Sequence, residues 1–374
     1  MTRVYLDHNA SAPLKPAVKA AMVQALDLVG NPSSVHGFGR AVRRAVEDAR
    51  ARVAALAGVR PAQVFFTGSG TEANNLALRG FPGRRAVVSA IEHESVLAAV
   101  PAALADAPRI PVDGDGVADL SALDRILGEG EGPALVSLML VNNETGVIQP
   151  VAAAAAIAHA HGALLHCDAI QAAGRLPLDL AALGADLLTL SAHKIGGPAG
   201  AGALVIAEGL EPEALIRGGG QEKRRRAGTE NVVGLVGFGA AARLALEELP
   251  EAGRLTRLRD ALEARVRDAV PEALVMGGAV GRVGNTSCLL LPGVPGETQV
   301  MALDLAGVAV SAGSACSSGT VKPSHVLAAM GQPTDAAASA IRVSLGWDSD
   351  AAAVDRFVAA YAALAQRRRR APAA

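Results

Sequence analysis

Cysteine is scarce: only Cys167, Cys288 and Cys316 occur in 374 residues. Three scattered thiols exclude a disulfide framework and a cysteine-built zinc site, so no metal is expected. Net charge is nearly absent as well, with 35 Lys and Arg against 36 Asp and Glu. That balance excludes a global electrostatic attraction to nucleic acid or a membrane surface. No apolar run approaches the roughly 20 residues that span a bilayer. The opening Met1-Thr2-Arg3-Val4-Tyr5-Leu6-Asp7 lacks the apolar core of a secretory signal. The expectation is a cytoplasmic protein with no membrane partner and no direct nucleic-acid partner. Aromatic residues make up 2% of the chain while Ala and Arg are used heavily; this is a genome-level bias that says little about function. The one run of charge, residues 367–370, reads as a solvated tail.

What is present is enough apolar sequence for more than one core: half the residues are hydrophobic, in a chain longer than one core usually supports. From about 38 to 205, short apolar runs alternate with helical patterns. Residues 64–66, 86–89, 135–141, 164–168, 187–191 and 203–206 read as strands buried on both faces. Residues 71–79, 95–105 and 151–161 read as helices between them. The alternation predicts an α/β fold, a mostly parallel seven-stranded sheet covered by helices, with ligands at the carboxyl ends of the strands. After about 245 the rhythm changes. A helix over 255–270, strands at 285–291, 308–310 and 341–344, helices from 297 and 323 and a final helix predict a smaller α+β domain. The expected division is 13–248 for the large domain, and 249–374 together with 1–12 for the small one.

Five segments carry candidate chemistry. In Phe66-Thr67-Gly68-Ser69-Gly70-Thr71-Glu72, glycines between a strand and a helix offer backbone N–H groups to an anion, and Thr71 adds a hydroxyl. The same spacing passes for a dinucleotide fingerprint with Glu92 as its acid, or for a plain tight turn. In Ser191-Ala192-His193-Lys194-Ile195-Gly196-Gly197, a lysine directly after an apolar strand is poorly explained by packing. Partial desolvation there would favour the neutral amine that attacks an aldehyde, and Ser191 and His193 sit at the same strand end. A surface lysine is the alternative.

In His166-Cys167-Asp168-Ala169-Ile170-Gln171, an aspartate closing a strand can balance a protonated pyridine nitrogen, and Gln171 can bond a ring hydroxyl. Taken in isolation, Asp168 reads first as a helix N-cap. Cys167 and Cys288 read as small core residues. In Ser311-Ala312-Gly313-Ser314-Ala315-Cys316-Ser317-Ser318-Gly319-Thr320, by contrast, a cysteine stands in a polar, glycine- and serine-rich loop, where a reactive thiolate makes more sense than a structural one. Finally, Arg342 on an apolar strand offers a bidentate partner for a carboxylate, or a snorkelling cation.

Together these segments resemble the cysteine desulfurases of the NifS/IscS type, in the class V aminotransferase group of fold-type I pyridoxal-phosphate (PLP) enzymes. The similarity runs in order from Tyr5-Leu6-Asp7-His8-Asn9-Ala10 through Asn31-Pro32-Ser33-Ser34, Glu92-His93, Asn142-Asn143-Glu144-Thr145-Gly146 and Ser191-Ala192-His193-Lys194 to Gly218-Gly219-Gly220-Gln221-Glu222 and the Cys316 loop. It implies pyridoxal 5'-phosphate as cofactor and L-cysteine as substrate. By the resemblance, Lys194 carries the cofactor, Asp168 faces its ring nitrogen, Gln171 bonds its ring oxygen, and His93 stacks on the ring and shuttles a proton. Gly70, Thr71, Ser191 and His193 would bind the phosphate, joined by Thr229 from the second subunit of a homodimer. Asn143, beside the cofactor, and Arg342 would hold the substrate carboxylate, and Cys316 would accept the sulfur as a persulfide. Acceptors would be an iron–sulfur scaffold or another sulfur-acceptor protein, including those of tRNA thiolation. His8 and Ser11 depart from the residues commonest in the family. Transamination or selenocysteine lysis on the same scaffold, a NAD-dependent oxidoreductase, and a silent scaffold are the competing readings.

Overall fold

The computed structural model describes residues 3–100, 108–312 and 323–370. After β1 (Val4–Tyr5) come seven strands of one sheet: β2 (Val64–Thr67), β3 (Arg85–Ser89), β4 (Arg109–Ile110), β5 (Ala134–Ser137), β6 (Leu164–Asp168), β7 (Leu187–Ser191) and β8 (Gly202–Ile206). Their spatial order is β2-β8-β7-β6-β5-β3-β4. Only β8 runs against its neighbours; the other pairings are parallel. Nearly every side chain in β2, β5 and β7 is buried, because helices cover both faces and both must be apolar. The crossovers place the carboxyl ends of β2, β3, β5, β6 and β7 along one edge, where the candidate segments leave the sheet.

The second body holds β9 (Leu274–Met276), β10 (Thr286–Leu290), β11 (Val308–Ala309), β12 (Ser311–Ala312) and β13 (Ala340–Ser344). Four of them form an antiparallel sheet in the order β12-β13-β10-β9, while β11 pairs in parallel with β1. A separate core fills this body, with Leu262, Leu289, Phe357 and Tyr361, and Leu6 from the amino-terminal segment packs into it.

Two expected strands end differently. The run at 135–141 stops as a strand at Ser137, because the Met139 N–H turns to the Glu92 carboxylate at 2.7 Å instead of a neighbouring strand. The strand at 308–310 is two short ones, since the chain passes from β1 to β13 between Ala309 and Ser311. The helix expected over 95–105 is described only as Glu94–Leu97, and residues 101–107 lie outside the described residues.

Candidate active site

The loops leaving the carboxyl edge meet around a cleft of about 380 Å³, lined by Gly70, Thr71, His93, Asn143, Asp168, Gln171, Ser191, His193, Lys194 and Arg342 among others. Ten of the twelve predicted site residues thus come together from widely separated parts of the chain. Thr229 stands elsewhere: it is exposed and lines a separate pocket beside Arg226 and Glu230. Cys316 lies outside the described residues.

One corner of the cleft has groups that could hold an anion. Helix Gly70–Arg79 begins there, and Ser69 caps it by accepting the Glu72 N–H at 3.1 Å. The other first-turn N–H groups have no partner within the helix, and the helix dipole adds positive potential. Glycine at position 70 keeps the corner open: a Cβ there would lie 2.4 Å from Ile170 Cδ1 and 3.2 Å from Ser191 Cβ, so the Ile170 side chain would have to shift. His193 borders the same corner, its pKa held down to about 4 by burial and the Lys194 charge.

Asp168 ends β6 with only 5% of its surface exposed. Its Oδ1 accepts the Ile170 N–H at 3.0 Å and its Oδ2 accepts from Asn74 Nδ2 at 2.8 Å. Lys194 ends a short turn after β7, and its Nζ donates to the carbonyls of Asn9 at 2.6 Å and Ala10 at 2.9 Å. His93 caps helix Glu94–Leu97: its Nδ1 accepts the Ser95 N–H at 3.1 Å and lies 2.7 Å from Ser95 Oγ. Burial lowers the His93 pKa, with Asp168 opposing and Lys194 assisting that shift.

At the opposite wall, Arg342 on β13 donates to the Asn143 carbonyl at 3.1 Å and pairs with Asp7 at 2.8 Å. Its Nε is buried without a partner among the described residues. Gln171 donates to the Asn9 carbonyl at 3.0 Å and accepts from Arg175 at 2.6 Å.

Several residues that support this site escaped the sequence reading. Asn9 is the main one. Its backbone N–H reaches Ser344 Oγ, its Nδ2 reaches Thr286 Oγ1 and the Asn143 carbonyl, and its Oδ1 accepts from Arg175 and Asn285. One asparagine thus joins β10, β13, the Asn143 loop and Lys194. Asn74 and Ser95 were missed for a similar reason: a polar residue in a helix gives no sign of what it will face. Glu92 stood in the sequence only as a possible dinucleotide-binding acid and a motif member, not as the acceptor of the Met139 N–H.

The thiols separate cleanly. Cys167 and Cys288 are both fully buried and unpaired, and burial pushes each thiol above its usual range. Both are core residues, as their apolar surroundings suggest.

The sequence pattern of the family Aminotransferase class-V matches residues 4–357. A cysteine desulfurase of Cereibacter sphaeroides is 46% identical, the match covering 96% of this chain and 94% of that relative. A cysteine desulfurase IscS of Dictyoglomus turgidum is 40% identical over 92% of this chain and 89% of its own length. A solved NifS-like protein from Rickettsia africae superposes with a TM-score of 0.90 at 34% identity, covering 97% of this chain and 99% of that one. The resemblance read from the motifs therefore holds over the whole length, and with it the fold: this chain belongs to the cysteine desulfurases of the class-V aminotransferase family.

Proposed function

We propose that this chain takes sulfur from L-cysteine, releases L-alanine and carries the sulfur as a persulfide on Cys316, with pyridoxal phosphate bound in the 380 Å³ cleft. The observation that carries this reading is the meeting of Lys194, Asp168 and the Gly70 corner in one cleft. The cleft's own chemistry suits the cofactor. The Gly70 corner, where a side chain would collide with Ile170, would take the phosphate with Thr71, Ser191 and His193. Asp168, braced by Asn74 and the Ile170 N–H, would pair with a protonated ring nitrogen. Gln171 would bond the ring oxygen, His93 would stack on the ring with Asn143 beside it, and Lys194 would supply the amine. Thr229, exposed in its own chain, would reach the phosphate in a second copy, making the enzyme a homodimer. The division into domains 13–248 and 249–374 with 1–12 is supported by Leu6 packing into the second core.

When bound, pyridoxal phosphate supplies an aldehyde for amines and a ring that draws electron density from the substrate α-carbon. The protein does the rest. Arg342 and Asn143 would hold the α-carboxylate, with Asp7 fixing the guanidinium plane. Lys194 would move the proton at the α-carbon. The Cys316 thiolate would then attack the substrate sulfur. A sulfur–sulfur bond forms as the carbon–sulfur bond breaks, and the electron pair left on carbon takes a proton to give alanine. Of the chain's three cysteines two are sealed in the cores, which leaves Cys316 for this task. The persulfide would pass to an acceptor thiol for iron–sulfur cluster assembly or tRNA thiolation. Among the described residues no helix is long and apolar enough to cross a membrane. The unpaired buried thiols suit the cytoplasm.

Mass spectrometry after brief exposure to L-cysteine tests this reading, with one added sulfur expected on the Cys316 peptide. The Cys316→Ser variant should keep the yellow cofactor absorbance and form no persulfide. If that variant still passes sulfur to an acceptor at full rate, Cys316 is not the carrier.

A further inference from the structure

A run of side chains behind the cleft links Asp168 to His93. Asn74 sits in helix Gly70–Arg79, fully buried, and its Nδ2 donates twice: to Asp168 Oδ2 at 2.8 Å and to Ser95 Oγ at 2.9 Å. Both of its N–H bonds are thereby used. The amide cannot be turned over, because that would set its oxygen against the carboxylate. Asn74 Oδ1 has no partner among the described residues, a costly arrangement that asks for a reason.

That reason lies one step further along. The Ser95 backbone N–H can only donate, and it points at His93 Nδ1 at 3.1 Å. Nδ1 must therefore be the unprotonated nitrogen of the ring. The Ser95 hydroxyl, 2.7 Å from the same atom, must then donate as well, its oxygen accepting from Asn74. Every donor in the chain has one direction: Asn74 to Ser95, and Ser95 to His93.

We infer that Asn74 and Ser95 are positioning residues that hold His93 as the neutral imidazole with its proton on Nε2, so that the resting ring offers the cleft a hydrogen-bond donor. A proton taken up by His93 has to go to Nδ1, and there it displaces two donors at once. This sharpens the reading of His93 as a proton shuttle: uptake is opposed by the site itself. The charged and titratable groups around the ring divide. Asp168 and Glu94 favour imidazolium, while Lys194, His325 and burial oppose it, with burial the largest influence. The hydrogen bonds at Nδ1 add to the opposing side.

The inference builds on the reading of the cleft given above, but its test needs no turnover, so the two can fail separately. The protein is labelled with ¹⁵N-histidine, and the His93 ring signals are assigned by their loss in His93→Gln. At neutral pH the wild-type protein should show an unprotonated, hydrogen-bonded Nδ1 and a protonated Nε2. Ser95→Ala removes one donor to Nδ1 and keeps the backbone N–H. It should raise the His93 pKa by about 0.7, a roughly fivefold change in protonation ratio, and Ser95→Thr should restore the wild-type value. Asn74→Leu should move the signals in the same direction by less, since Ser95 keeps its hydroxyl. A wild-type ring carrying its proton on Nδ1 overturns the inference, whatever the variants do. So does a Ser95→Ala protein whose His93 signals and pKa match the wild type.

Discussion

At the scale of single residues, the site places one amine where backbone carbonyls can hold it and a ring aldehyde could reach it. Lys194 Nζ is gripped by two carbonyls of the amino-terminal segment, Asn9 and Ala10, so the amine is oriented before any cofactor arrives. Lys194→Ala should leave cofactor bound by the Gly70 corner and Asp168 but not covalently. Borohydride reduction should then attach no label to the protein, and desulfurase turnover should fall about 10²- to 10⁴-fold. A labelled peptide containing some other lysine would move the assignment. The sequence exposed Lys194 because a lysine directly after an apolar strand fits ordinary packing poorly; Asp168 and the glycines, each explicable locally as a cap or a turn, stood out only through their company in the ordered set of motifs. It did not expose Asn9 or Asn74. An asparagine before a turn or inside a helix is unremarkable until distant strands are brought against it, as β10 is against Asn9.

At the scale of elements, the strands were legible because burial on both faces forces continuous apolar runs. The helix Val232–Glu247 was not. It contains Gly234, Gly237 and Gly239, which weaken a helix by roughly 1 kcal/mol each relative to alanine. Packing explains them: a Cβ on Gly239 would lie 2.6 Å from Ala49 Cα, and one on Gly237 would meet Met22 at 2.8 Å. The glycines trade helix propensity for close approach to helix Gly37–Leu56 and helix Pro16–Ala25. Gly239→Val should therefore destabilise the protein by about 1–3 kcal/mol despite its better side chain for burial, read as a lower urea midpoint. An unchanged midpoint would mean the helices can part without cost. The loop before this helix shows a second kind of opacity. Glu222, Lys223 and Arg224 all adopt positive φ, held by Glu222 bonding Arg50 at 2.7 and 2.8 Å and the Phe66 N–H at 2.9 Å. No local pattern predicts three such residues in a row; contacts from distant parts of the chain, the Glu222–Arg50 ion pair foremost, hold them.

Across the whole molecule, buried titratable groups pull stability in opposite directions. Burial holds His166 near pKa 4, its ring nitrogens set against Ser137 Oγ at 2.9 Å and Thr189 Oγ1 at 3.0 Å. An unfolded histidine protonates at about 6.5. Between those values the unfolded chain binds a proton the native one refuses, so stability falls as pH drops from 6.5 to 4, by on the order of 3 kcal/mol for this residue. His8 and His193, also held near 4, act in the same direction. Glu92 does the reverse. Buried beside Ser137 and within the field of Asp168, it is raised from 4.5 to about 8. Between those values the native carboxyl keeps a proton that the unfolded chain has lost, so stability falls as pH rises. Glu144, raised by burial in spite of the hydrogen bond it accepts from Ser324, adds to that fall. Below 6.5 the three histidines outweigh the carboxyls; above 6.5 the carboxyls act with the histidines silent. The thermal midpoint should therefore peak near pH 6.5 and decline toward pH 8. Glu92→Gln, which can still accept the Met139 N–H, should flatten that upper limb while leaving the acid limb in place. A native midpoint that goes on rising from pH 6.5 to 8 would mean that Glu92 is ionised in the folded protein, and that the carboxylate next to Asp168 is a second negative charge in the site.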